Sequence, residues 1–175
     1  MKTILDSEQV GRILDDMCSR IAADTRSKPN VAVIGVRSRG EQLGERLAMC
    51  LAGKLGREVP SGTLDITLYR DDLNSPQSHW QPQVRTTEIG FDIDDKFIIL
   101  VDDVLFTGRS TRAAMDALID LGRPEAIRLA VLVERAGREF PIQADYVGYH
   151  ADVKGDERIR VRLVECDDKD EVVVE

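Results

Sequence analysis

Apolar residues along this chain fall into helical stripes that alternate with short unbroken blocks. Val10, Ile13, Leu14, Met17 and Ile21 recur three or four residues apart behind an Asp6 suited to cap a helix, predicting an amphipathic first helix to about Asp24. Pro29-Asn30 ends it, and "VAVIGV" (Val31 to Val36) predicts a buried strand. Arg37 to Gly40 reads as a turn, followed by a helix with Leu43, Leu47 and Leu51 on one face. Leu64, Ile66 and Leu68 alternate with polar neighbours, which predicts a half-buried strand ending near Tyr69. Residues 71–96 are polar and irregular, a length that usually means a functional loop. "FIILV" (Phe97 to Val101) predicts a central strand, and Ser110 to Leu121 a helix stopped by Gly122 and Pro124. "AIRLAVLVE" predicts another buried strand, with shorter ones at Tyr146-Val147 and Ile159 to Val164. The tail from about residue 165 is acidic and reads as solvated, with Val172 to Val174 as an edge strand.

Strands that alternate with helices, and that are apolar nearly throughout, imply an α/β fold with a parallel sheet covered on both faces. Ligands of such sheets bind beyond the carboxyl ends of the strands. Three loops follow predicted strands there: Arg37 to Gly40, Asp102 to Thr111 and Arg135 to Phe140.

The 175 residues suit one domain, and no apolar run approaches the roughly 18 residues of a membrane span. Met1 to Asp6 lacks the apolar core of a secretory signal. Cys18, Cys50 and Cys166 fit neither a disulfide framework nor a Cys-x-x-Cys metal site, so a cytoplasmic setting is the expectation. His79 and His150 are too scattered for a zinc site. A net charge of −8 confines any nucleic-acid contact to a local basic patch.

The candidate chemistry lies in "LVDDVLFTGRST", residues 100–111. Thr107 to Thr111 places a Gly and small hydroxyl residues before a helix, where free backbone N–H groups and the helix dipole hold phosphate. Asp102 and Asp103 stand upstream, able to accept hydrogen bonds from two hydroxyls or to steady a hydrated Mg²⁺. A ribose 5-phosphate unit carries a diol and a phosphate in that layout. The same residues also suit a solvated turn and an ordinary helix cap. Neither a GxGxxG fingerprint nor a Walker A loop is present.

Val101 to Thr111, with its apolar strand, acid pair and T-G-x-S in register, resembles the phosphoribosyl-diphosphate motif of type I phosphoribosyltransferases. Ile34 to Gly40, "LDITLYRDDL" (Leu64 to Leu73) and Arg112 to Gly148 are similar to one bifunctional bacterial branch. Its members attenuate pyrimidine operons and act as uracil phosphoribosyltransferases; the resemblance spans about residues 4–166. It implies a mainly parallel twisted sheet flanked by helices, a small hood, and a mobile lid at about 71–96. Phosphoribosyl diphosphate and uracil are the implied substrates and UMP the product. Mg²⁺ would be carried with the phosphoribosyl diphosphate, near Asp102 and Asp103, without dedicated protein ligands. A messenger-RNA stem-loop and further copies of the chain are the implied partners.

By the same resemblance, Ser38, Arg39 and Gly40 would form the diphosphate loop, where a non-proline cis peptide is common. Asp102 and Asp103 would contact the ribose hydroxyls and, with Arg39, form the catalytic set. Val104, Leu105, Phe106, Thr107, Gly108, Arg109, Ser110 and Thr111 would enclose the 5-phosphate. Arg70 and Arg85 would reach the diphosphate from the lid, Trp80 would serve packing or an interface, and Val133 to Arg135 would edge the uracil pocket.

The chain departs from that branch on its RNA-binding face. Asp15-Asp16 stands in place of Thr-Arg, Gly137 in place of His, Gln143 in place of Arg and Tyr149 in place of Lys. Each change removes a cationic or hydrogen-bonding group or adds a carboxylate, which weighs against binding a polyanion. The reading is therefore a uracil phosphoribosyltransferase with RNA binding weakened or lost. The alternatives are an RNA-binding attenuator with nucleotide as co-ligand, and a purine phosphoribosyltransferase.

Overall fold

The computed structural model describes residues 1–72 and 84–175. Five parallel strands form the main sheet: β2 (Val31–Val36), β3 (Ser61–Leu64), β4 (Phe97–Leu105), β5 (Ala126–Arg135) and β6 (Tyr146–Ala151), in the order β3-β2-β4-β5-β6. Strand alternation divides the apolar residues between two cores. Val31, Val33, Ile99 and Val101 face the helices α1 (Ser7–Thr25) and α2 (Arg39–Leu55). Ala32, Ile34, Ile98 and Leu100 face α3 (Arg109–Leu121), whose Ala113, Ala114, Ala117 and Leu118 pack inward. With both faces covered, a continuous apolar strand is what this position requires.

Asp6 caps α1 as expected, in a full capping box with Gln9. Other expectations needed correction. The strand predicted through Leu68 stops at Leu64, and Thr67–Tyr69 forms a 3-10 turn. Asp65 causes the break, because its carboxylate accepts from the Thr67 N–H (3.1 Å) and Thr67 hydroxyl (2.6 Å). Cys18 and Cys50, read as unpaired, meet as a disulfide between α1 and α2 with 6.4 Å between Cα atoms. Both helices lie on the same face of the sheet, which is how residues 32 positions apart come together.

The acidic tail is only partly solvated: Glu165, Asp168 and Glu175 are exposed, Asp167 and Asp170 half-buried and Glu171 buried. Glu171–Val174 forms β8, the central strand of a second sheet ordered β1-β8-β7, antiparallel to β1 (Lys2–Leu5) and β7 (Ile159–Arg162). A single turn, α4 (Val164–Asp167), precedes it. This small sheet is the hood. Of the proposed lid, residues 73–83, including Trp80, lie outside the described residues. The described return is anchored, with Thr63 and Glu88 forming an antiparallel bridge and Arg85 N–H donating to Asp65 (2.6 Å). Among the described residues no helix is long and apolar enough to cross a membrane.

Because Val172, Val173 and Val174 are all buried, deleting residues 171–175 removes about 5 kcal/mol of apolar burial. That lowers the expected thermal midpoint by roughly 10–20 °C, measurable by scanning calorimetry; a midpoint within a few degrees of the full chain would contradict this role for β8.

Candidate active site

All five strands of the main sheet run the same way, so the loops after β2, β4 and β5 open on one edge. Asp102 and Asp103 lie inside β4, which continues beyond the apolar run of Phe97 to Val101 as far as Leu105. Asp102 is buried, with its Oδ1 accepting the Asp103 N–H at 2.9 Å; Asp103 Oδ1 accepts the Val104 N–H at 2.8 Å. Burial, reinforced by the charge of Asp103, pushes Asp102 well above the ordinary carboxylate range. Burial also raises Asp103, while its hydrogen bonds and the nearby Arg39 charge pull it back.

Gly40 brings the first turn of α2 against this pair. A Cβ there would stand 2.5 Å from the Val101 carbonyl oxygen and 3.1 Å from the Asp102 Cα, so no side chain fits. The preceding Arg37–Ser38 peptide is cis. Ser38 is exposed and has no side-chain cap bond to α2. Arg39 Nη2 donates to both oxygens of Asp167 (2.9 and 3.1 Å), while its Nε is buried without a partner among the described residues.

On the other side of the pair, Gly108 precedes α3 with φ +90° and no side chain to cap it; the Arg109 N–H donates to the Thr107 hydroxyl at 3.3 Å, and the next N–H groups of the 13-residue helix are open to an anion. Thr107 is half-buried and Ser110 exposed, so both hydroxyls are within reach of a ligand. Thr111 is instead buried in the first turn. Leu105 points into the core and offers only backbone, Val104 is half-buried, and Phe106 is exposed. The loop is clasped by the 138–142 segment: the N–H groups of Glu139 and Phe140 donate to the Thr107 carbonyl (2.9 and 3.0 Å), and Arg138 bonds the Phe106 carbonyl.

Other arginines named from the sequence are engaged elsewhere. Arg109 Nε donates to Glu139 at 2.6 Å and its Nη1 to Asp71 at 2.5 Å, with the guanidinium over Phe140. Arg70 bonds Asp72 (3.0 Å). Among the described residues, neither Arg70 nor Arg85 makes a side-chain bond to the acid pair or the α3 loop. Arg135 is buried beneath Phe106, 4.1 Å from the ring centre, and bonds the carbonyls of Lys154 and Glu157. Beside it a cleft of about 400 Å³, lined by Glu134, Arg135, Arg138, His150 and Asp152, opens beyond β5 and β6. Sequence reasoning missed Asp167. Its signal was the spacing Glu165, Asp167, Asp170, which looked like a solvated acidic run.

A profile of the phosphoribosyl transferase domain family matches residues 1–168, and the chain belongs to that family. Among curated relatives it is similar to "Bifunctional protein PyrR" of Deinococcus radiodurans, 52% identical over 96% of this chain and 91% of that protein. The protein of the same name from Bacillus mycoides is 46% identical over 98% of this chain and 95% of its own length. The fold is also that of the hypoxanthine phosphoribosyltransferase of Trypanosoma cruzi, with a TM-score of 0.77 at 19% identity, covering 99% of this chain and 94% of that one.

The acid pair has a pH signature. Folded Asp102 keeps its proton to higher pH than unfolded Asp102, so between the ordinary carboxylate range and the raised value the folded state binds more protons. Stability of the ligand-free chain then falls as pH rises through that window. Asp102→Asn removes this slope: its thermal midpoint should exceed wild type at about pH 8 and converge with it near pH 4, by about the unfolded carboxylate value. An unchanged difference across that range would exclude the assignment.

Proposed function

We propose that the chain transfers the phosphoribosyl group of phosphoribosyl diphosphate to uracil, giving UMP and diphosphate. The observation that carries this reading is the meeting, on one sheet edge, of buried Asp102 and half-buried Asp103, the Ser38–Gly40 turn and the Gly-led start of α3. The α3 N–H groups, with Thr107 and Ser110, suit the 5-phosphate, the two carboxylates suit the ribose hydroxyls, and Arg39 with the Gly40 turn suits the diphosphate. The similarity to PyrR supports uracil as the base, and the cleft between Arg135 and Asp152 is the place for it.

The C1′–oxygen bond to diphosphate breaks as the C1′–N1 bond to uracil forms, and the uracil N1–H bond breaks with its proton passing to water or to a diphosphate oxygen. Positive charge grows on the ribose beside Asp102 and Asp103, and negative charge on the leaving group beside Arg39; both changes are favoured by groups already in place. No side-chain nucleophile is required, so positioning carries much of the rate. The donor set fits Mg²⁺ brought by the substrate: the two adjacent carboxylates can contact it, while no cluster of three metal-binding side chains exists among the described residues. When bound, the cation supplies neutralising charge at the diphosphate.

The RNA-facing positions support a weakened regulatory partnership. Asp15 and Asp16 are exposed on α1, which crosses β6, and they occupy nearby cations: Asp15 pairs with Lys54 (3.0 Å) and Asp16 with Arg20 (2.9 Å). Gln143 is exposed on the loop entering β6, and Tyr149 is half-buried.

Incubated with phosphoribosyl diphosphate and Mg²⁺, the chain should convert uracil to UMP and leave hypoxanthine untouched, as read by chromatography; nucleotide formed from hypoxanthine alone would reverse the assignment. Asp103→Asn should lower kcat/KM at least about 100-fold. In titrations with an RNA stem-loop from a pyrimidine operon, Asp15→Thr/Asp16→Arg should bind about 10-fold more tightly than the natural chain and show a steeper salt dependence. Submicromolar binding by the natural chain, enhanced by UMP, would instead establish a working regulator.

A further inference from the structure

Arg39 stands between two carboxylates of different origin. Its charge acts on Asp103 of β4, and its Nη2 is held by Asp167 of the tail. Its remaining donors are barely used: Nε has no partner among the described residues, and Nη1 has only a 3.4 Å contact with the Ser38 hydroxyl. Asp167 is itself fixed. Its Oδ2 accepts the Leu163 N–H at 3.2 Å, and its side chain is 14% exposed.

The flanking tail residues leave it little freedom. Arg46 spans Glu165 (2.8 and 2.6 Å) and Asp170 (2.8 and 2.9 Å), one on each side of Asp167. The Asp170 carbonyl accepts the Ser7 hydroxyl at 2.6 Å, and the chain then enters β8 in the centre of the hood sheet. A planar guanidinium gripped at one nitrogen presents its other donors in a fixed direction. Without that grip, Asp103, which already feels the Arg39 charge, would compete for the guanidinium, and pairing there would withdraw it from a leaving group.

We propose that Asp167 is a positioning residue, holding Arg39 by Nη2 so that Nη1 remains presented to the diphosphate of phosphoribosyl diphosphate. This role rests on the activity proposed above. It links the hood to the chemistry of the main sheet through one ion pair.

The test is a double-mutant cycle in the full chain, with initial rates measured against phosphoribosyl diphosphate and against uracil, and with diphosphate as product inhibitor. Asp167→Ala should raise the KM for phosphoribosyl diphosphate and the inhibition constant of diphosphate together, each about tenfold, and leave the KM for uracil within about twofold. Asp167→Asn, which keeps an acceptor for Leu163 and the guanidinium, should fall between, and it decides the matter if Asp167→Ala fails to fold. In an Arg39→Ala background the effect of changing Asp167 should vanish.

Equal losses in both backgrounds would overturn the proposal. So would tighter diphosphate binding by the Asp167 variants, since Asp167 would then be competing with the ligand. If wild type forms UMP and every Asp167 variant matches it, the positioning role fails alone; if wild type forms no UMP, the activity fails and the role with it.

Discussion

Two adjacent carboxylates at the end of a central strand, pressed out of water, are the constraint around which this molecule is arranged. Removing a carboxylate from solvent costs several kcal/mol unless hydrogen bonds or a countercharge offset it. Here the offset is partial. Each acid accepts one backbone N–H, and one arginine stands near Asp103. The raised proton affinity of both acids is the measure of what is left uncompensated. A ligand that brings hydroxyl donors and a cation completes the set, so ground-state cost becomes binding preference.

The arginines follow a related logic. Arg39, Arg46 and Arg109 each serve two acidic or ligand-facing groups, and the acids come from the tail, the lid base and the loop after β5. Isolated surface ion pairs contribute little, but a guanidinium shared by two fixed carboxylates gives direction as well as energy. The hood is joined to the main sheet by such contacts at α2, and Arg109 joins Asp71 to the loop after β5. Several acids of the tail and loops are thus committed to holding arginines in place.

What could be read from the sequence was whatever repeats locally. The strands β2, β4 and β5 and the helices α1 to α3 announce themselves because burial on one face or two imposes a period. The candidate phosphate loop is marked by a Gly and small hydroxyl residues standing before a helix. Signals that depend on distant partners were illegible. Leu64 to Leu68 alternates like a strand, yet Asp65 captures Thr67 and turns the chain. Val172 to Val174 looks like a minor edge until β1 and β7, from opposite ends of the chain, flank it. Cys18 and Cys50 share no spacing rule; only the packing of α1 beside α2 joins them. Asp167 belongs to this group, because an acidic run with no visible cation looks the same whether it is solvated or clamped.

The placement of the departures from the bifunctional branch also has a physical reason. Asp15, Asp16 and Gln143 are exposed on α1 and the approach to β6, the far edge strand of the sheet. Gly148 lets α1 lie close on that strand: a Cβ there would stand 2.9 Å from the Met17 sulfur. The inner side of α1 is therefore bound by packing while its outer side is free to change charge. The residues around Asp102 have less freedom, since a Cβ on Gly40 would stand 2.5 Å from the Val101 carbonyl oxygen and 3.1 Å from the Asp102 Cα. Charge can therefore change on the first surface without disturbing the second.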